Sequence, residues 1–116
     1  MLFRSKEVAP YGGSYISHIR DESTYSVGLM AAVDEVINVG RVAGIPAVLT
    51  HVKALGPAVW GYGAAIVQRV ESARAEGVQV FADQYPYTAS ANRPEARPRG
   101  KECRPRGAPR RGKKAH

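Results

Sequence analysis

The sequence predicts an α/β fold: three parallel strands joined by two covering helices, in the order β-α-β-α-β, followed by a disordered basic tail. Three observations carry that prediction. Short apolar or β-branched runs alternate with longer segments of helical periodicity, the grammar of a parallel sheet with right-handed crossovers. Glycines stand where the helical segments should stop. After about Ala91 the residues that build a core run out.

Residues 1–13 read as a short lead-in that ends in the breaker cluster Pro10-Tyr11-Gly12-Gly13. Ser14-Tyr15-Ile16-Ser17-His18 follows as a strand of aromatic and β-branched residues. Asp21-Glu22-Ser23-Thr24 is polar and turn-like, suited to a helix start. From about Ser26 to Ala43 the apolar positions Val27, Met30, Ala31, Val33, Ile37 and Val39 have helical spacing. Gly44 sits where that helix should end, and Pro46 prevents its continuation. The run from Ile45 to Thr50, nearly unbroken in apolar residues, suits a strand over 46–50 of the kind buried on both faces. A loop from Val52 to Gly61 holds Gly56-Pro57 and Trp60. A second helix is expected over 62–76, with Ile66, Val67, Val70 and Ala73 on one face and Gly77 as its stop. The third strand is 78–82, and Asp83-Gln84-Tyr85-Pro86-Tyr87 lies just beyond it.

The net charge of +7 is unevenly placed. Residues 1–91 carry 7 Lys/Arg against 8 Asp/Glu, whereas 92–116 carry 10 against 2. The last segment has no Val, Ile, Leu, Met or aromatic residue, so it cannot bury enough apolar surface to offset the entropy of ordering. The domain reading is therefore 1–91 folded and 92–116 a disordered Arg/Pro/Gly-rich tail. The one cysteine, Cys103, excludes an internal disulfide framework and any multi-cysteine metal cluster. No apolar run approaches the ~20 residues of a membrane span, and no signal-peptide pattern opens the chain. A cytoplasmic chain without membrane contact is expected.

In parallel α/β folds, ligands bind at the carboxyl ends of the strands. The distinctive polar groups fall there: His18 and Arg20 after the first strand, His51 and Lys53 after the second, Asp83 and Tyr85 after the third. Two neighbouring strands that end in histidine place two imidazoles in one cleft, about 5 Å apart. That separation lets them share a metal ion, since neutral imidazole ligates zinc at about 2 Å. The bland alternative is two satisfied polar groups at a sheet rim. Arg20 fits a salt bridge to Asp21, Glu22 or Asp83, and Trp60 fits packing over a helix start. Gly61-x-Gly63 lacks the strand-before, helix-after context of a phosphate loop.

Three segments of this sequence, Tyr11 to Glu22 (YGGSYISHIRDE), Leu49 to Gly56 (LTHVKALG) and Asp83 to Ala89 (DQYPYTA), closely resemble the N-acyl-D-amino-acid deacylases. These D-aminoacylases belong to the amidohydrolase superfamily of zinc enzymes built on a (β/α)8, or TIM, barrel. The resemblance covers about residues 5–91. It implies that His18 and His51 bind zinc. It also implies that Lys53 meets the carboxylate of an N-acyl-D-amino acid, and that the Tyr85 hydroxyl meets a carbonyl or tetrahedral oxyanion. The departures are equally specific. The family has a His-x-His pair, a metal-binding cysteine and a catalytic aspartate, and none has a counterpart in this sequence. Asp83 belongs to the Tyr-Pro-Tyr word and is not the general base, and Cys103 lies in the basic tail.

A complete barrel takes about 250 residues. The resemblance therefore implies an internal barrel fragment whose sheet has one uncovered face, prone to self-association, with negligible turnover by itself. The alternative function is non-specific nucleic-acid binding through the tail, where ten basic side chains would meet phosphates. No aromatic residue interleaves there to stack on bases.

Overall fold

The computed structural model describes residues 2–87. The expected domain boundary at residue 91 lies outside the described residues. So do the basic tail, Cys103 and the nucleic-acid contact assigned to that tail. Among the described residues, no helix is long and apolar enough to cross a membrane. The elements run α1 (Leu2–Val8), β1 (Tyr15–Ser17), α2 (Leu29–Ala43), β2 (Ala47–Leu49), α3 (Gly63–Ala75) and β3 (Val80–Ala82). Two short 3-10 turns, Ala9–Tyr11 and Pro57–Val59, lie between them.

The three strands form one parallel sheet in the order β1-β2-β3. Tyr15, Ala47 and Val80 share one register level; Ile16, Val48 and Phe81 share the next; Ser17, Leu49 and Ala82 share the third. Side chains alternate between the two faces of a strand. Ala47, Leu49 and Val80 are fully buried in one cluster with Leu29, Val33, Val36 and Ile37 of α2 and Ile66, Val70 and Ala73 of α3. Each large side chain so buried contributes on the order of 1.5–3 kcal/mol. The middle level points the other way, where Ile16 is 64% exposed and Phe81 48%. The helices thus cover one face of the sheet, as expected, and the expected adjacency of the strands holds.

Helix α2 begins three residues later than its apolar spacing suggested, and the cause is Asp21. This carboxylate accepts the backbone N–H groups of Ser23 (2.8 Å), Ser26 (2.6 Å) and Gly28 (3.0 Å), which folds residues 21–28 into a loop around it. Gly44 ends α2 in the left-handed conformation, with its N–H on the Gly40 carbonyl. Gly40 itself marks the close approach of α2 to β2, because a Cβ there would stand 2.9 Å from the Ala47 Cβ. At the end of α3, the N–H of Gly77 bonds the Arg74 carbonyl and that of Val78 the Ala73 carbonyl. This Schellman pattern takes up Val78, so β3 starts at Val80 instead of residue 78.

The lead-in is the main correction. Residues 2–8 form a helix, because no proline or glycine interrupts them before Pro10. The helix lies against α2.

Candidate functional site

The polar groups that follow the three strands meet at one end of the sheet. Since Ser17 and Leu49 are register partners, His18 and His51 leave neighbouring strands close together. Nδ1 of His18 lies 2.9 Å from Nε2 of His51, with ring centroids 4.6 Å apart and planes tilted by 53°. The expected spacing of about a strand separation is what the structure shows.

His51 takes an unusual backbone conformation to reach that position. Its φ is +44°, the one positive value for a non-glycine among the described residues. An L-residue in the left-handed region is strained, and such strain persists where surrounding contacts over-determine it. Asp83 supplies those contacts. Its Oδ1 accepts the His51 N–H at 2.6 Å, and its main-chain carbonyl accepts the Val52 N–H at 2.9 Å. Asp83 therefore works on the backbone of His51.

Behind the His51 ring sits Glu22, which is 8% exposed. Its Oε1 is 3.2 Å from His51 Nδ1 and 3.9 Å from His18 Nδ1, and it pairs with the Lys53 ammonium. Lys53 Nζ also lies 2.9 Å from His51 Nδ1 and 3.3 Å from the His51 carbonyl oxygen. On its other side the ammonium stands 5.8 Å from the centre of the Tyr85 ring. All four residues singled out in the sequence, His18, His51, Lys53 and Tyr85, are thus gathered in one place. Arg20 is not among them. It turns away to Glu35 on α2, at 3.1 Å, instead of pairing with Asp21, Glu22 or Asp83. Trp60 is exposed and not packed into the core.

Two participants are not evident from the sequence: Asp21 and Glu22 read as polar and turn-like residues suited to a helix start, whereas both are buried and lie ahead of α2. Burial works to raise the Asp21 carboxyl, but backbone N–H donors from Ser26, Ser23, Gly28 and Tyr25 outweigh it and lower its pKa from 3.8 to about 2. Asp21 stays ionised and keeps the loop that carries Glu22 closed. The available signal was the pair of acids directly after a strand end that also carries a histidine; composition alone does not show that they turn inward.

The donor set suits a metal ion. Two imidazoles and a carboxylate offer ligand atoms within 4.8 Å of one another. At zinc–nitrogen distances of about 2.0–2.1 Å, two ligands on a tetrahedral ion stand about 3.3 Å apart. The 2.9 Å between the histidine nitrogens needs only a small opening to reach that value.

Comparison with known proteins gives the site a context. No protein-family profile matches the chain. Over 87 residues it is 44% identical to an N-acyl-D-glutamate deacylase of Alcaligenes xylosoxydans xylosoxydans, a match spanning 75% of this chain and 17% of that protein. A D-aminoacylase of the same organism is 31% identical over 86 residues, 74% of this chain and 17% of its own length. Among solved structures, an N-acyl-D-glutamate deacylase from Bordetella bronchiseptica superposes with a TM-score of 0.65. It is 37% identical, over 72% of this chain and 17% of that one. That enzyme was solved with zinc and a phosphonate inhibitor that mimics the tetrahedral intermediate of its reaction. A D-aminoacylase with a binuclear metal centre superposes at 0.64 with 29% identity, over 71% of this chain and 16% of that one. The neighbours are amidohydrolase barrel proteins. The chain spans about 17% of the length of the curated relatives it matches.

Proposed function

We infer that the chain belongs with the N-acyl-D-amino-acid deacylases, and that it carries a metal-binding and substrate-anchoring part of such an amide-hydrolase site. The observation that carries this reading is the contact of His18 with His51 at the ends of adjacent parallel strands, with Lys53 and Tyr85 beside it. Zinc suits the two imidazoles, and when bound it polarises a carbonyl and acidifies water.

The chain's own residues have separate tasks. His18 and His51 would hold the ion through the nitrogens that face each other. Lys53 places a positive charge at the rim, where a substrate carboxylate would share it with Glu22. The Tyr85 hydroxyl is suited to donate to a substrate carbonyl oxygen or to the oxyanion that forms from it. The first substrate to test is an N-acyl-D-glutamate, because the relative at 44% identity acts on it.

General acid–base work typically contributes 10²–10⁴-fold to such a reaction, and it needs a base beside the metal. The only described aspartate at this end of the sheet besides the loop-binding Asp21 is Asp83, which is engaged by the His51 backbone. These 116 residues also contain no His-x-His pair. We therefore expect negligible turnover from them alone, with retained affinity for substrate. The test is incubation of the full chain with N-acetyl-D-glutamate and zinc, followed by release of free amino acid and by substrate binding. Binding that weakens in Lys53→Ala, without measurable hydrolysis, supports the reading. Hydrolysis that disappears in His51→Ala would instead show that a complete site assembles, for example between two copies.

A further inference from the structure

We propose that Glu22 is a positioning residue for a metal held by the histidine pair: its carboxylate fixes the His51 ring through Nδ1 and so turns Nε2 toward His18. The proposal rests on the reading of His18 and His51 as metal ligands and adds the residue that orients one of them.

The two nitrogens of His51 face different neighbours. Nε2 faces Nδ1 of His18 at 2.9 Å. Nδ1 faces Glu22 Oε1 at 3.2 Å and Lys53 Nζ at 2.9 Å. A nitrogen that ligates a cation must be unprotonated, so the proton of a neutral imidazole then sits on the other one. An ion shared with His18 through Nε2 therefore requires Nδ1–H. The Lys53 ammonium is a donor only and cannot accept that proton, whereas an ionised carboxylate is an acceptor only. Of the two groups at Nδ1, Glu22 alone can complete the bond.

Lys53 favours the opposite tautomer. With Nδ1 bare, the ammonium donates to it and the ring proton moves to Nε2, where it would block the metal position. Glu22 opposes this in two ways: its Oε1, 3.2 Å from Nδ1, would accept an Nδ1–H turned toward it, and it draws the ammonium toward its own oxygen. The residue is well placed to do so. It is buried, its main-chain carbonyl accepts the Leu55 N–H at 2.7 Å, and the preceding Asp21 locks the loop that carries it.

Glu22 is less suited to ligate the ion directly. Its Oε1 lies on the Nδ1 side of His51, 3.9 Å from His18 Nδ1, and is occupied by Lys53. A cation placed there would stand against an ammonium group. The carboxylate–histidine–metal arrangement is a recurrent way to fix ring orientation, and losing the outer partner typically weakens metal affinity 10–100-fold.

The experiment is competition between the full-length chain and a chromophoric chelator for zinc. It compares wild type, Glu22→Gln, Lys53→Met and the Glu22→Gln/Lys53→Met double variant. Glu22→Gln should bind about 10–100-fold more weakly, and the double variant should stay weak. Lys53→Met should bind no more weakly than wild type. The double variant also guards against Glu22→Gln misfolding around an unpaired lysine. Recovery of wild-type affinity in the double variant would overturn the proposal, because Glu22 would then only neutralise Lys53. Equal affinity of Glu22→Gln and wild type would overturn it as well, leaving the histidine pair intact. A wild type that takes up no zinc would overturn the histidine-pair reading and this proposal with it. An imidazole nitrogen–proton correlation spectrum of the zinc-loaded chain gives the independent readout. It should show the His51 proton on Nδ1, and zinc found on Nδ1 would contradict the assignment.

Discussion

Nε2 of His51 rests 2.9 Å from Nδ1 of His18, although 33 residues separate the two in the chain. The parallel register of β1 and β2 makes the contact, by carrying both residues off the same end of the sheet. Asp83, at the end of β3, completes it by holding His51 in a left-handed conformation. Each of the three strands therefore contributes one residue to the placement of a single pair of rings.

If Asp83 sets the backbone of His51, then Asp83→Ala should release the strained φ and turn the ring away from His18. Zinc affinity is expected to fall by about 10-fold or more, as for other residues that orient a ligand. Asp83→Asn keeps an oxygen acceptor and should lose less. Chelator competition measures both, and unchanged affinity in Asp83→Ala would contradict this role.

The Asp21 loop makes a prediction about stability against pH. With a folded pKa of about 2 against an ordinary 3.8, ionised Asp21 contributes about 2 kcal/mol. A depressed carboxylate gives its full contribution above about pH 3.8 and loses it as pH falls toward 2. Asp21→Asn should therefore be less stable than wild type by about that amount at neutral pH, with the gap closing in this acidic window. Denaturant unfolding of both chains across pH checks it; a gap that does not change with pH would speak against the loop's dependence on the charge.

The uncovered sheet face predicts association. Ile16, Val48 and Phe81 form one register level across all three strands. Ile16 and Phe81 are exposed, with Val48 half-buried between them and the Arg74 guanidinium of α3 5.3 Å from the Phe81 ring centre. Apolar side chains exposed in this way promote contact with another surface. Sedimentation of the full chain should show oligomers that Ile16→Lys or Phe81→Lys shifts toward monomer. A stable wild-type monomer with sharp cooperative unfolding would contradict the expectation.

The parts of this architecture that depend on local chemistry were legible in the sequence. The apolar run ending at His51, the stops at Gly44 and Gly77 and the histidines after two strands need only periodicity and backbone preference to be seen. What escaped depends on contacts made across the fold. Asp21 and Glu22 have the composition of a helix start, and only the closure of residues 21–28 around Asp21 reveals that both turn inward. The same closure moved the start of α2. Arg20 forms a salt bridge, but to Glu35 and not to Asp21, Glu22 or Asp83, because Glu35 lies on a helix face whose direction periodicity does not supply. Residues 2–8 were hidden for another reason: a seven-residue helix is too short to show a period.

The most direct test of the central claim, that His18 and His51 form a metal-binding pair, is a zinc titration of the full-length chain beside His18→Ala and His51→Ala, followed by calorimetry. The account predicts one ion bound per chain by wild type, with affinity reduced more than about 10-fold in each single variant. The double variant should be little worse than either one, because the two ligands act on one ion. Zinc bound equally well by wild type and His51→Ala would contradict the claim.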